Sequence, residues 1–273
     1  MLKDITLGQF FPGNSVLHRL DPRVKIVICI AYIVGIFLCN SLAAYIFLIA
    51  MTVLLMLISQ LPVKTVLKGI QPVVVIIIFT AVLNVFWRGG ETELFSFWII
   101  TIYLEGVTSA IFMMIRIIAL VIGTCIILTY TTSPIALTDA IERLLSPLRI
   151  FKIPVHEFAM MMTIALRFIP TLIEETDKIM NAQKARGSDF STGSLAERAK
   201  ALVPVLVPLF ISSFRRADEL AVAMECRCYR GGSGRTRMTQ LHLDKRDFFS
   251  ILLTALFIAS VLLINQYFPI YVV

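Results

Sequence analysis

Residues 26–58 read IVICIAYIVGIFLCNSLAAYIFLIAMTVLLMLI, thirty-three positions without an acidic or basic side chain. As one helix rising 1.5 Å per residue the run would be ~50 Å long, against ~30 Å of bilayer hydrocarbon. It therefore predicts two spans, 24–39 and 42–58, folded back at the polar pair Asn40-Ser41. Working outward, three further apolar stretches predict spans: 72–86, closed by the interfacial pairing Trp87-Arg88, then 107–130, then 248–268. Composition agrees, with 58% hydrophobic and 16% charged residues and a mean hydropathy of +0.86. That excludes an ordinary soluble domain.

Basic residues orient the spans. Lys3, Arg19, Arg23 and Lys25 precede or open the first; Lys64 and Lys68 lie between the second and third. Seventeen more fall between residues 133 and 247, while the opposite side holds Arg88 alone, beside Glu91 and Glu93. The expectation is a multi-pass membrane protein with a cytoplasmic N-terminus and an extracytoplasmic C-terminus at Val273. Residues 1–23 hold Lys3, Asp4, His18, Arg19, Asp21 and Arg23, with no continuous apolar core before a cleavage site, so no signal peptide is expected. Arg116 stands inside the fourth span, where an ionisable side chain points to function. Of the five cysteines, Cys29, Cys39 and Cys125 fall in spans, and Cys226 and Cys228 fall in a reducing cytoplasm. A C-x-C without a His or carboxylate cluster is a weak metal signal, so no metal is expected.

The expected organisation is all-α: a four-span membrane region at 1–132, a cytoplasmic helical domain at 133–247, and a fifth transmembrane helix at 248–273. The domain contains two apolar runs, 158–173 and 201–214, interrupted by Arg167 and Pro170, and by Pro204 and Pro208. Placing both in lipid would export Lys178, Lys184, Arg186, Arg198 and Lys200, against the charge rule, and Arg at mid-bilayer costs at least ~2.5 kcal/mol. Both therefore read as cytoplasmic or interfacial helices, over about 155–186 and 195–227. Glu174–Lys178 and Arg215–Glu219 are spaced to pair. Gly187 ends the first helix, residues 188–194 form a polar turn, and Gly231-Gly232-Ser233-Gly234 ends the second. Each helix closes on an Arg, in Ala185-Arg186-Gly187 and Cys226-Arg227-Cys228. Small residues (Ala182, Ala185, Ala217, Ala221) predict close crossing of the two final segments. As simple helix-end cations these arginines would be worth 0.3–1 kcal/mol each.

With those motifs, with Leu20-Asp21-Pro22-Arg23-Val24-Lys25 before the first span and with Leu166-Arg167-Phe168-Ile169-Pro170, the sequence resembles the T component of energy-coupling factor transporters over nearly its whole length. The resemblance implies a scaffold with two Ala-Arg-Gly-type coupling signatures. The first is kept here; the second has Cys on both sides of its Arg. It also implies two ABC-type ATPase subunits whose grooves take Arg186 and Arg227, and a membrane-embedded S component that binds a vitamin or metal ion. ATP and Mg would sit on the ATPases. The chain itself is expected to be non-catalytic and to bind no cofactor and no nucleic acid. Asp21, Pro22, Arg23 and Lys25 are expected to organise the start of the first span. Tyr229 and Arg235 occupy the Gly and Lys positions of a phosphate loop, so 229–236 is not one. Met160-Met161-Met162 suits either core packing or an adaptable contact surface. The rival readings are a membrane-embedded enzyme and a self-sufficient secondary transporter. Scattered His18, His156 and His242 and the lack of catalytic motifs weaken the first, and the uneven spacing of the spans weakens the second.

Overall fold

Polar caps decide where the first two helices start. In the computed structural model, which describes residues 10–90, 92–97, 100–188, 190, 194–231 and 241–268, Asp21 caps α1 (Pro22–Leu38) by accepting the Arg23 N–H at 2.8 Å. Pro22 takes the first helical position, where its missing N–H costs nothing. Ser41 caps α2 (Leu42–Ser59), its hydroxyl accepting from the Ala44 N–H. Only residues 39–41 separate the helices, so the long apolar run breaks at Asn40-Ser41 as its length requires.

The third predicted span is longer than expected. α3 (Val63–Ile70), one 3-10 turn (Gln71–Val73) and α4 (Val74–Trp87) run on as one 25-residue apolar helix. Pro72 does not stop it because the proline opens the tighter turn, where no N–H is needed. After α4, an antiparallel hairpin of β1 (Glu93–Phe97) and β2 (Ile100–Tyr103) appears that the hydropathy reading did not anticipate. Its residues are mostly aromatic and β-branched, which favours strand. α5 (Leu104–Thr124) then widens into a π turn (Cys125–Thr129), with the Tyr130 N–H donating to the Cys125 carbonyl at 2.9 Å.

The described residues form two units, 10–137 with 241–268, and 138–231. The larger unit gathers α1 to α5 and α9 (Lys245–Tyr267) around one core. Val24, Ile28, Tyr32 and Ile36 repeat every fourth residue along α1 and pack with Leu48, Ile126, Phe257 and Val261. Two glycines seat aromatic rings: a Cβ on Gly35 would lie 2.5 Å from the Phe257 ring, and one on Gly123 would overlap Tyr32. The outer faces are as apolar as the core, with Leu57 72% and Val75 73% exposed, which only lipid makes tolerable.

In the smaller unit, α6 (Pro134–Leu144, entering from the larger unit) leads through a 3-10 turn (Ser146–Phe151) to α7 (Val155–Ala185) and α8 (Leu195–Cys226). His156 of α7 meets Glu142 of α6 at 2.9 Å. Among the described residues, five helices are long and apolar enough to cross a membrane: α2, α3–α4, α5, α7 and α9. They differ from the expected five at two places. α1, with 17 residues, sits at the lower limit of spanning length. α7 meets the limit by length and composition, although it is the least apolar of the set. Gly232, Ser233, Gly234, Glu91 and Val273 lie outside the described residues.

Candidate functional site

α7 and α8 start differently and stop alike. Ser194 opens α8 with a full capping box, accepting from the Glu197 N–H while the Glu197 carboxylate takes the Ser194 N–H. At the far end of α7, Arg186 is the C-cap, Gly187 follows at φ +91°, the Gly187 N–H bonds to Lys184 O at 2.9 Å, and the Ser188 N–H bonds to Gln183 O at 3.0 Å. α8 repeats this: Arg227 is the C-cap, Cys228 follows at φ +55°, the Cys228 N–H bonds to Glu225 O at 2.8 Å, and the Tyr229 N–H bonds to Met224 O at 3.0 Å. Both are Schellman motifs. Cys228 thus occupies the left-handed position that Gly187 fills in the first signature. The helix ends there, before Gly231, and the expected glycine terminator is not what stops it. A Cβ at Gly187 would meet nothing, so backbone conformation rather than space calls for that glycine.

Both arginines are exposed, and among the described residues neither guanidinium has an ion-pair partner. Their helices are antiparallel neighbours. Glu175 of α7 accepts from Arg216 of α8 at 2.8 Å and from the Ser212 hydroxyl, and Gln183 donates to Pro204 O at 3.4 Å. The ion pair therefore runs across the hairpin, and the pairings expected along each helix, Glu174–Lys178 and Arg215–Glu219, do not form. The alanines do not face one another either: all four are exposed, and Ala217 and Ala221 line a cavity of about 280 Å³ with Ile164, Phe168 and Leu172, well before Ala182 and Ala185 on α7. In an antiparallel pair the two final segments lie at opposite ends. α8 has 32 residues, so if straight it would hold Arg227 and the loop after Arg186 on the order of 45 Å apart.

The residues around the start of α1 form a second, inward-facing cluster. The Asp21 carboxylate pairs with Arg23 at 2.8 Å, and the Asp21 N–H donates to Asp247 Oδ1 of α9, also at 2.8 Å. Arg23 donates to Leu241 O at 3.2 Å. Lys25 is 2% exposed, and its ammonium donates to Thr131 O at 2.8 Å and to Thr132 Oγ1 and His18 O at 3.3 Å. Asp21, Arg23 and Lys25 thus tie the start of α1 to the turn at Thr131-Thr132 and to α9, with Pro22 as the first helical residue. Asp247, which completes the cluster, escaped the sequence reading; its signal was Asp244 three residues earlier, a capping box at the head of α9.

Arg116 finds its partner at the α1–α2 break. Its guanidinium donates to Cys39 O at 2.8 Å and lies 5.6 Å from the centre of the Tyr45 ring. Asn265 of α9 serves the same break. Its amide donates to Leu38 O at 2.6 Å, and its oxygen accepts from Asn40 N, Ser41 N and the Ser41 hydroxyl. The break leaves backbone groups at residues 38–41 without helical partners, and these two side chains pair with them.

The family model described as CbiQ, cobalt transport protein, matches residues 13–239. The energy-coupling factor transporter transmembrane protein EcfT of Clostridium kluyveri is 56% identical over 253 residues, 92% of this chain and 93% of its own. Its namesake in Ruminiclostridium cellulolyticum is 53% identical over 268 residues, 98% of this chain and 100% of its own. That of Lactococcus lactis is 44% identical over 263 residues, 96% and 98%. With the membrane helices, the paired arginine caps and these matches in place, the chain belongs to the CbiQ family, among the transmembrane components of energy-coupling factor transporters.

Proposed function

We propose that the chain is the non-catalytic membrane scaffold that couples ATP hydrolysis on two cytoplasmic ABC-type ATPase subunits to reorientation of a membrane-embedded S component carrying a vitamin or metal ion. The observation that carries this reading is the pair of matching helix ends. Each Schellman cap fixes the backbone beneath an exposed Arg, so the guanidinium is offered from a rigid stub. Standing at opposite ends of one hairpin, Arg186 and Arg227 suit two separate grooves better than one. A planar guanidinium binds a carboxylate bidentately and stays charged at any working pH. Ala185, Gly187, Cys226 and Cys228 flank the two arginines with little bulk, leaving room for a groove wall. In this reading residues 133–247 stand on the cytoplasmic side, the first span begins at Asp21, and ATP and Mg belong to the partners.

Charge reversal tests it. Arg186→Glu and Arg227→Glu, expressed with the native partners, are expected to weaken ATPase assembly or uncouple hydrolysis from uptake, each by on the order of 2–5 kcal/mol if a partner carboxylate is left desolvated and unpaired. The double variant is expected to be worse than either single one, and reversal of the partner's acidic residue to Arg is expected to restore binding. Normal transport and assembly in the double variant would overturn the coupling role. Orientation has its own test. Cys226 and Cys228 are exposed thiols, so a membrane-impermeant thiol reagent should label them only after intact cells are opened.

A further inference from the structure

Within the larger unit, a cavity of about 280 Å³ lies between α2 and α9, floored by α1 and roofed by the turn of residues 15–20. Leu20, Ile28, Met51, Leu55, Leu253 and Phe257 make its walls. The polar atoms on those walls are spoken for: Ser250 donates to Arg246 O, Thr254 to Ser250 O, and the Tyr32 hydroxyl is bonded to Thr52 and Ala119 O. These walls keep no free side-chain hydroxyl proton, and their apolar side chains suit hydrocarbon. Two arginines stand on elements that line the cavity. Arg246 stands three and four residues before Phe249 and Ser250 on the same face of α9, and Arg19 lies in the turn that contributes Val16, Leu17 and Leu20. Both arginines are exposed, and among the described residues neither has an ion-pair partner. From Arg246 to Phe257 is about 16 Å along α9, close to the hydrocarbon depth of one leaflet.

We propose that this groove is a binding site for one anionic phospholipid, its acyl chain lying against Leu253 and Phe257 and its phosphate held by Arg19 and Arg246. A zwitterionic lipid would fill the same walls without the net charge that two arginines select. This ligand is independent of the ATPase and S-component reading, since it needs only the bilayer.

The test uses the full chain purified in detergent, with palmitoyl-oleoyl phosphatidylglycerol or phosphatidylcholine added and retention measured by native mass spectrometry. One phosphatidylglycerol per chain is expected to be retained, favoured over phosphatidylcholine by roughly 25-fold, about fivefold for each arginine. Arg19→Gln with Arg246→Gln should remove the preference, and Arg246→Lys should keep most of it. Leu253→Trp, which fills the groove, should abolish retention of both lipids. Equal retention of the two lipids, or an unchanged preference in the double Gln variant, would overturn the site. So would a folded Leu253→Trp chain that holds lipid normally but fails to assemble with other subunits, which would make the groove a protein interface.

Discussion

The two units handle polar groups in opposite ways. Among the described residues, every buried polar or charged side chain, from Ser15 to Asp247, lies in the larger unit. There Lys25, Asp21, Arg23, Asp247, Arg116 and Asn265 all point inward and tie one helix to another. The described residues that α7 and α8 bury are Val155, Ala159 and Val205, and Arg186 and Arg227 are exposed. In hydrocarbon an unpaired polar group costs several kcal/mol, so polarity there is used to fix the fold. In the hairpin, helices are held by caps and one cross-helix ion pair, and their charged ends remain available. Polarity that stabilises and polarity that stays exposed are thus separated along the chain.

That contrast should appear in stability measurements on the chain alone. Asp247→Ala takes the acceptor from the Asp21 and Asp244 N–H groups and a negative charge from the surroundings of Lys25. It should cost on the order of 3–5 kcal/mol, read as lost thermal stability in detergent. Asn265→Leu strips partners from Leu38 O, Asn40 N and Ser41, and should cost about 2 kcal/mol by the same assay. Arg186→Glu with Arg227→Glu should change the isolated chain by about 1 kcal/mol or less, because only a helix-end interaction is lost. A large loss of stability in that variant would erase the distinction between the units. Cys228→Gly should be a small gain, about 1 kcal/mol, since it relieves a left-handed conformation on a residue with a Cβ. An equal gain on Cys226→Gly, in the helix itself, would show that the second cap is not the strained point.

Much of this was legible before any coordinates, for reasons that differ by residue. Hydrocarbon thickness forced the break at Asn40-Ser41, and apolar length marked α2, α4, α5 and α9. The two Arg-bearing ends were visible because a Schellman stop follows local sequence, yet Cys228 stands where glycine is usual, so the second stop was assigned to Gly231 and the residues after it. What stayed hidden was long-range. Nothing local says that Asn265 reaches back to Leu38, that Arg116 meets Cys39 O, or that Asp247 takes the Asp21 N–H. Pairings along one helix were overcalled for the same reason: Glu175 and Arg216 are 41 positions apart, and only the antiparallel hairpin brings them together. The β hairpin was missed because hydropathy windows read its aromatic and β-branched residues only as apolar.

The placement of Asp247 and Asn265 on the final helix bears on how the protein is made. Helices α1 to α5 leave the ribosome first, and about 115 residues separate Thr129 from Lys245. At 5–20 residues per second that is roughly 6–23 s during which the early helices sit in the bilayer without the two side chains that close their polar seams. Membrane insertion and completion of the fold are therefore distinct events in time. A nascent chain interrupted before α9 would carry its own mark of immaturity: an open seam at each end of α1, available to whatever chaperone or protease surveys the membrane.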